Sequence, residues 1–195
     1  MPKLANLSQN VKVVEITTSD LSKISALTAP QHTLALVKFP EYSMLTTEML
    51  KGSFTFALDG IQDPGNLGTI IRTVDWFGMT RLICSEDTVD VYNSKVVQAT
   101  MGSLSRVRVQ YTALDQFLQQ REVPVFGALL NGKSIYETNF GNEGIVFLGN
   151  EGNGLRPEIL SQIRHSVTIP RFGAAESLNV AVTASIFCSE MRRNS

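Results

Sequence analysis

The chain has 195 residues, 43% apolar and 18% charged, with a formal net charge of -1. Such a composition excludes a disordered chain and supplies core for one domain, or one domain and a fragment. It also gives no global electrostatic case for nucleic acid, whose non-specific binding rests on many Lys and Arg contacts, and leaves only local basic patches for that.

Residues 1–50 differ in pattern from residues 51–195. Val11-Lys12-Val13-Val14-Glu15-Ile16 reads as a strand, and Thr18 to Ile24 as a short helix opened by a Ser or Thr cap. Ala29-Pro30-Gln31 breaks the pattern, and Thr33 to Phe39 reads as a second strand. Two strands and a small helix make a poor independent core. The segment is therefore expected to be the end of a larger domain or a docked appendage. Lys38 to Lys51, with Pro40 and polar residues, reads as a linker.

From Gly52 onward strands and helices alternate. Phe54 to Leu58 is strand-like, and Leu67 to Phe77 carries apolar residues at helical spacing, ended by Gly78 as a C′ residue. Arg81 to Cys84 is a strand, Ser94 to Met101 a helix, Arg106 to Gln110 a strand, and Leu114 to Gln120 a helix opened near Thr112. Val123 to Leu130 is a strand, and Gly144 to Leu148 is a continuous apolar run, as in a strand covered on both faces. Leu155 to Ile163 reads as a helix with Pro157 in its first turn, Val167 to Ile169 as a last short strand, and Ser177 to Arg192 as a closing helix. The alternation implies an α/β fold, a mostly parallel sheet flanked by helices on both faces.

Cys84 and Cys188 lie in apolar surroundings and read as reduced core residues of a cytoplasmic protein. His32 and His165 lack partners at ligand spacing, so no metal is expected. There is no apolar h-region near Lys3 and no apolar run of roughly 18 residues, so no membrane association is expected.

Three glycine-punctuated segments sit between the predicted strands and helices. They are Leu58-Asp59-Gly60 to Arg72, Phe147-Leu148-Gly149-Asn150-Glu151-Gly152-Asn153-Gly154-Leu155, and Ile169-Pro170-Arg171-Phe172-Gly173 to Val180. In an open α/β sheet such junctions bind ligands, because strand ends and helix starts expose free backbone groups. Neither the G-x-G-x-x-G fingerprint nor a Gly-Lys-Ser/Thr phosphate loop is present. Singly, the glycines are turn residues with positive φ. That does not account for Asn66, Arg72, Glu151, Ser177 and Asn179 beside them.

The three segments resemble the motifs of the SpoU (TrmH-like) branch of the SPOUT RNA methyltransferases. Asn66 and Arg72 match the first motif, an Asn followed six residues later by an Arg. Gly149 to Leu155 matches the second, and Ile169-Pro170, Gly173 and Glu176-Ser177-Leu178-Asn179-Val180 the third. The resemblance covers about Gly52 to Arg193. It divides the chain into residues 1–50, the C-terminal remnant of an RNA substrate-binding domain plus linker, and residues 51–195, a SpoU catalytic domain. Leu27 to Gln31 resembles the end of that substrate-binding domain, so the chain looks N-terminally shortened.

The resemblance implies a deep C-terminal trefoil knot that binds S-adenosylmethionine and transfers its methyl group to a ribose 2′-hydroxyl of structured RNA, rRNA favoured over tRNA. Leu129, Gly149, Ile169, Leu178 and Asn179 are then the cofactor-binding residues. Arg72, Asn66, Glu151, Ser177 and Asn179 are the catalytic set. A guanidinium, with a pKa above roughly 12, is a poor base. Arg72 is therefore expected to clamp phosphate and orient the substrate, which leaves the base open. Ile169 and Leu178 alternatively serve core packing, and Ser177 and Asn179 helix capping. Arg171, Ala181 and Ser189 depart from the Met, Ser and Tyr frequent in relatives. Arg164, Arg171, Arg192 and Arg193 form either a phosphate-binding face or scattered solvated charge. A homodimer is implied, with Val180 to Phe187 fitting an interface helix or a core helix equally. The alternative is a non-catalytic RNA-binding or ribosome-assembly module on the same fold.

Overall fold

The computed structural model describes residues 11–119 and 122–193. Two units divide the chain, Met1–Tyr42 and Ser43–Ser195. In the first unit the expected helix forms as α1 (Thr18–Ile24), where Thr17 Oγ1 accepts the N–H of Asp20 at 3.1 Å. The strands expected at residues 11–16 and 33–39 do not form. A strand needs ladder partners and a face to bury, and here the apolar side chains stay in solvent, Leu36 at 96% and Val37 at 81% exposure.

The second unit is built on a six-stranded, all-parallel sheet. Its strands are β1 (Phe54–Asp59), β2 (Arg81–Cys84), β3 (Arg108–Tyr111), β4 (Val125–Ser134), β5 (Gly144–Gly149) and β6 (His165–Thr168). Their spatial order is β3-β2-β1-β5-β4-β6. The chain lays β1, β2 and β3 outward in one direction, then crosses to the other side of β1, where β5 pairs with it from Phe54↔Gly144 to Asp59↔Gly149. Side chains alternate between two cores. Phe56, Leu58, Val146 and Leu148 pack on one face with α2 (Pro64–Trp76) and α6 (Val180–Arg192). Ala57, Ile83, Ile145 and Phe147 pack on the other with α4 (Leu114–Gln119) and α5 (Pro157–Leu160). The helix α3 (Ser94–Ala99) lies against α2. Phe56, Phe147 and Phe187 are fully enclosed, each contributing about 1.5–3 kcal/mol from burial.

Several boundaries move for local reasons. Half of the expected linker belongs to the core: Leu45 and Leu50 are buried, and the Leu45 N–H donates to Gln110 Oε1 at 2.6 Å. Arg106 leaves the expected third strand to pair with Asp75 of α2, Nη2 to Oδ2 at 2.7 Å, and this ion pair holds the Asp75 carboxyl below its usual range. The helix expected over Leu155 to Ile163 is the single turn α5 (Pro157–Leu160); it starts at Pro157 because the proline holds Arg156 extended. The closing helix α6 starts at Val180, not Ser177, because Asn179 caps it. Its inner face buries Val180, Ala181, Ala184, Phe187, Cys188 and Met191, so this is a core helix on that side. Cys84 and Cys188 are free and buried; burial pushes the Cys188 thiol up to about 12. Among the described residues, no helix is long and apolar enough to cross a membrane.

Candidate active site

The site lies at the carboxyl ends of β5, β4 and β6, on the side of the sheet where an open α/β fold binds ligands. Past Ala128 the β4 chain loops out and rejoins the ladder at Lys133, so that both residues pair with Val167. The looped segment brings Leu129, Leu130 and Asn131 over the strand ends, and Thr168 Oγ1 donates to the Leu130 carbonyl at 3.0 Å. With the loops after β5 and β6 it encloses a cleft of about 820 Å³. That volume falls within the range of about 300–1,000 Å³ typical of small-molecule sites.

The loop after β5 is folded tightly on itself. Asn150 and Gly154 exchange backbone hydrogen bonds at 3.0 and 2.8 Å, and the Asn150 side chain accepts the Gly152 N–H at 2.8 Å. A Cβ on Gly149 would collide with the Gly154 carbonyl carbon, so only glycine permits this closure.

Three of the sequence-singled residues meet directly. Asp63 caps α2 by accepting the Asn66 N–H at 2.7 Å, which leaves the Asn66 side chain free. Its Nδ2 donates to Glu151 Oε1 at 2.6 Å, and its Oδ1 accepts from Asn179 Nδ2 at 2.9 Å. Asn179 Oδ1 in turn accepts the N–H groups of Ala181 and Val182, at 2.9 and 3.3 Å, capping α6. The polarity of the whole row follows from that cap. Asn179 must present oxygen to the helix, so it donates to Asn66, which must then donate to the carboxylate. One residue from each glycine-punctuated segment is thereby joined in a single relay.

Leu129, Gly149, Ile169 and Leu178 all line the cleft, as do Glu151 and Ser177. Leu178 is half exposed, so its side chain is on the cleft rim and not in the core. Ser177 is exposed and does not cap α6; among the described residues its side chain has no hydrogen-bond partner. Arg72 stands apart. It lies six positions beyond Asn66, and at about 100° per residue the two side chains leave α2 roughly 120° apart. Arg72 instead lines a separate depression of about 310 Å³ with Thr69, Thr73, Trp76, Phe77 and Ser185. Three of the other arginines have partners within the chain: Arg192 donates to the Phe77 carbonyl at 3.0 Å, Arg193 pairs with Glu190 at 2.8 Å, and Arg171 reaches the Ala175 carbonyl at 3.4 Å.

Sequence reasoning did not single out Asp59, Asn150 and Arg156, of which Asn150 lines the cleft. Asp59, at the end of β1, is 1% exposed and accepts from the Arg156 N–H at 2.8 Å and Nε at 2.7 Å. Asn150 Nδ2 donates to the Gly60 carbonyl at 2.7 Å. The available signal was an acidic residue closing an otherwise apolar strand, a position that demands a cation or donor once buried.

The chain is similar to known proteins in sequence and in fold. Residues 53–189 fit the SpoU rRNA Methylase family. The chain is 30% identical over 192 residues to the 23S rRNA (guanosine(2553)-2'-O)-methyltransferase RlmP of Bacillus subtilis, covering 96% of this chain and 75% of that protein. A solved TrmH-family structure from Porphyromonas gingivalis superposes with a TM-score of 0.81 at 39% identity, over 97% of this chain and 78% of the other. The AdoMet-bound rRNA methyltransferase of Sinorhizobium meliloti gives a TM-score of 0.70 at 31% identity, over 78% of this chain and 62% of that one. With the family pattern spanning both the sheet and all three segments of the relay, the chain belongs to the SpoU rRNA methylase family.

Proposed function

We propose that this protein is an S-adenosylmethionine-dependent RNA methyltransferase that acts on a ribose 2′-hydroxyl, with rRNA as the favoured substrate and the cytoplasm as its place of action. The observation that carries the reading is the relay Glu151–Asn66–Asn179, set beside a cleft with room for a nucleoside and its substituents. A module that only bound RNA has no need of a polar row aligned on such a cleft.

The residues present suit the cofactor. Leu129, Ile169 and Leu178 offer apolar contact for an adenine ring, and the turn at Gly149 brings backbone close to the ligand. When bound, the cofactor supplies a methyl group already activated as a sulfonium, so the reaction needs no metal. In such a transfer the carbon–sulfur bond would break as the carbon–oxygen bond to the ribose forms, the electron pair staying on sulfur and the hydroxyl proton passing to water or a base. This chain's residues place the hydroxyl in line and hold the loops. The relay fixes Glu151 and the start of α6 at the mouth of the cleft, and Ser177 offers a free hydroxyl on its lining. The loops after β5 and β6, with the outlooped β4 segment, trace the proposed trefoil knot.

Arg72 is the phosphate clamp. Its place outside the cleft of its own chain supports a homodimer in which the α2–α6 face meets the partner and brings Arg72 to the partner's cleft. Trp76, one turn further along α2, is 84% exposed on that face, and exposed Trp and Arg are the residues enriched at interface centres. Residues 1–50 are proposed to derive from an RNA substrate-binding domain.

Calorimetric titration with S-adenosylhomocysteine, on the native chain and on Arg72→Ala, tests the reading. One ligand per chain is expected for both, with methyl transfer to rRNA lost in Arg72→Ala. Absence of binding by the folded native chain would reject the enzyme and favour an RNA-binding module. Full activity in Arg72→Ala would reject the clamp.

A further inference from the structure

The loop after β5 is anchored at both ends to two consecutive residues at the end of β1. At its start, Asn150 Nδ2 donates to the Gly60 carbonyl at 2.7 Å. At its end, Arg156 gives Asp59 its backbone N–H at 2.8 Å, its Nε at 2.7 Å and its Nη2 at 2.5 Å. A carboxylate as buried as Asp59 is costly unless it is paired and hydrogen-bonded. A cation alone would meet that need. Here the carboxylate also takes the main-chain N–H of the same arginine, which ties down the backbone at residue 156, already held extended by Pro157 after it. Between the anchors lie Glu151, which accepts from Asn66, and the loop backbone that lines the cleft. Arg156 is 49% exposed, and its outer side lies 3.5 Å from the exposed Asp87.

We propose that Asp59, Asn150 and Arg156 form a clasp that holds the 149–154 loop shut under the methyl donor and sets Glu151 against Asn66. Asp59 and Arg156 are then positioning residues for methyl transfer, an inference that rests on the cofactor reading above. The clasp acts through geometry: Nε and Nη2 converge on Oδ1 while the backbone N–H takes Oδ2, so the planar guanidinium and the main chain together fix direction as well as distance, which an ammonium does not.

The test compares the native chain with Arg156→Lys, with the neutral pair Asp59→Asn/Arg156→Gln, and with Asp87→Asn. The neutral pair leaves no unpaired buried charge, so it isolates geometry from charge burial. Two quantities are read: S-adenosylhomocysteine affinity by calorimetry, and amide hydrogen exchange along the chain. In Arg156→Lys and the neutral pair, the dissociation constant is expected to rise about tenfold, with faster exchange at residues 151–154 and unchanged exchange in β5 and α6. Asp87→Asn is expected to match the native chain. Unchanged loop exchange in both clasp variants overturns the proposal. So does a rise in exchange spread evenly over the whole unit, since the pair would then serve only global stability. If the native chain itself takes no S-adenosylhomocysteine, the cofactor reading fails, and the loop exchange alone decides the clasp.

Discussion

Asn66 is the residue through which the three glycine-punctuated junctions communicate. It sits in the first turn of α2, where Asp63 has already satisfied its backbone N–H, so its amide is free to donate to Glu151 and accept from Asn179. Asn66→Ala removes both bonds. Hydrogen bonds to charged groups contribute about 1.5–3 kcal/mol, so single-turnover methyl transfer is expected to fall roughly tenfold to a hundredfold. Asn66→Asp is expected to be worse, because it sets a second carboxylate against Glu151 where a donor is required. Activity of Asn66→Asp equal to the native chain would remove the relay from the mechanism. At this scale the sequence was legible where function is written into short spacing: Asn66, Glu151 and Asn179 each stand in a recognisable local pattern. Asp59 was marked only as an acidic residue closing an apolar strand, and its partner Arg156 was not legible. Their bond spans 97 positions, and nothing local distinguishes a strand-ending Asp that meets an arginine from one that meets water.

The helices show the same division between local and distant causes. The apolar spacing of α2 and its stop at Gly78 were evident from sequence, and so was the cap-driven start of α1. The start of α2 at Pro64 was available in the Asp63-Pro64 pair, a cap followed by a first-turn proline. By contrast, β4 runs on to Ser134 because its outlooped segment returns to β6. The return of β4 has no signal in the neighbouring residues, whereas Pro157 after Arg156 did mark the start of α5. The tight turn after β5 belongs to this scale as well. Gly149→Ala would drive a Cβ onto the Leu155 nitrogen as well as onto Gly154, and backbone atoms cannot rotate away. Overpacking of this kind costs about 1–3 kcal/mol, and each kcal/mol lowers the melting midpoint by about 2–4 °C in a domain of this size. The expected result is a folded protein with a midpoint several degrees lower and no calorimetric signal with S-adenosylhomocysteine. Retention of native affinity would show that the turn does not shape the cofactor site.

For the whole molecule, the proposal of a homodimer makes a direct statement about mass. Light scattering at micromolar concentration is expected to give twice the 21.4 kDa of one chain. A monomeric mass with methyl transfer retained would discard the dimer and the placement of Arg72 at the partner's cleft. The sequence by itself determined the class of the fold, since continuous apolar runs alternating with amphipathic helices leave a parallel sheet as the stable way to bury both faces of the strands. It determined the candidate chemistry too, because motif residues cluster within a few positions of one another. Only the tertiary structure decided which of those residues touch. It joined Asn66, Glu151 and Asn179, turned Arg72 away from the cleft, and left the segments at residues 11–16 and 33–39 without ladder partners. The reason is physical: propensity and pattern act over a few residues, whereas a strand, a buried carboxylate or a side-chain relay is stabilised by partners that the fold brings from far along the chain.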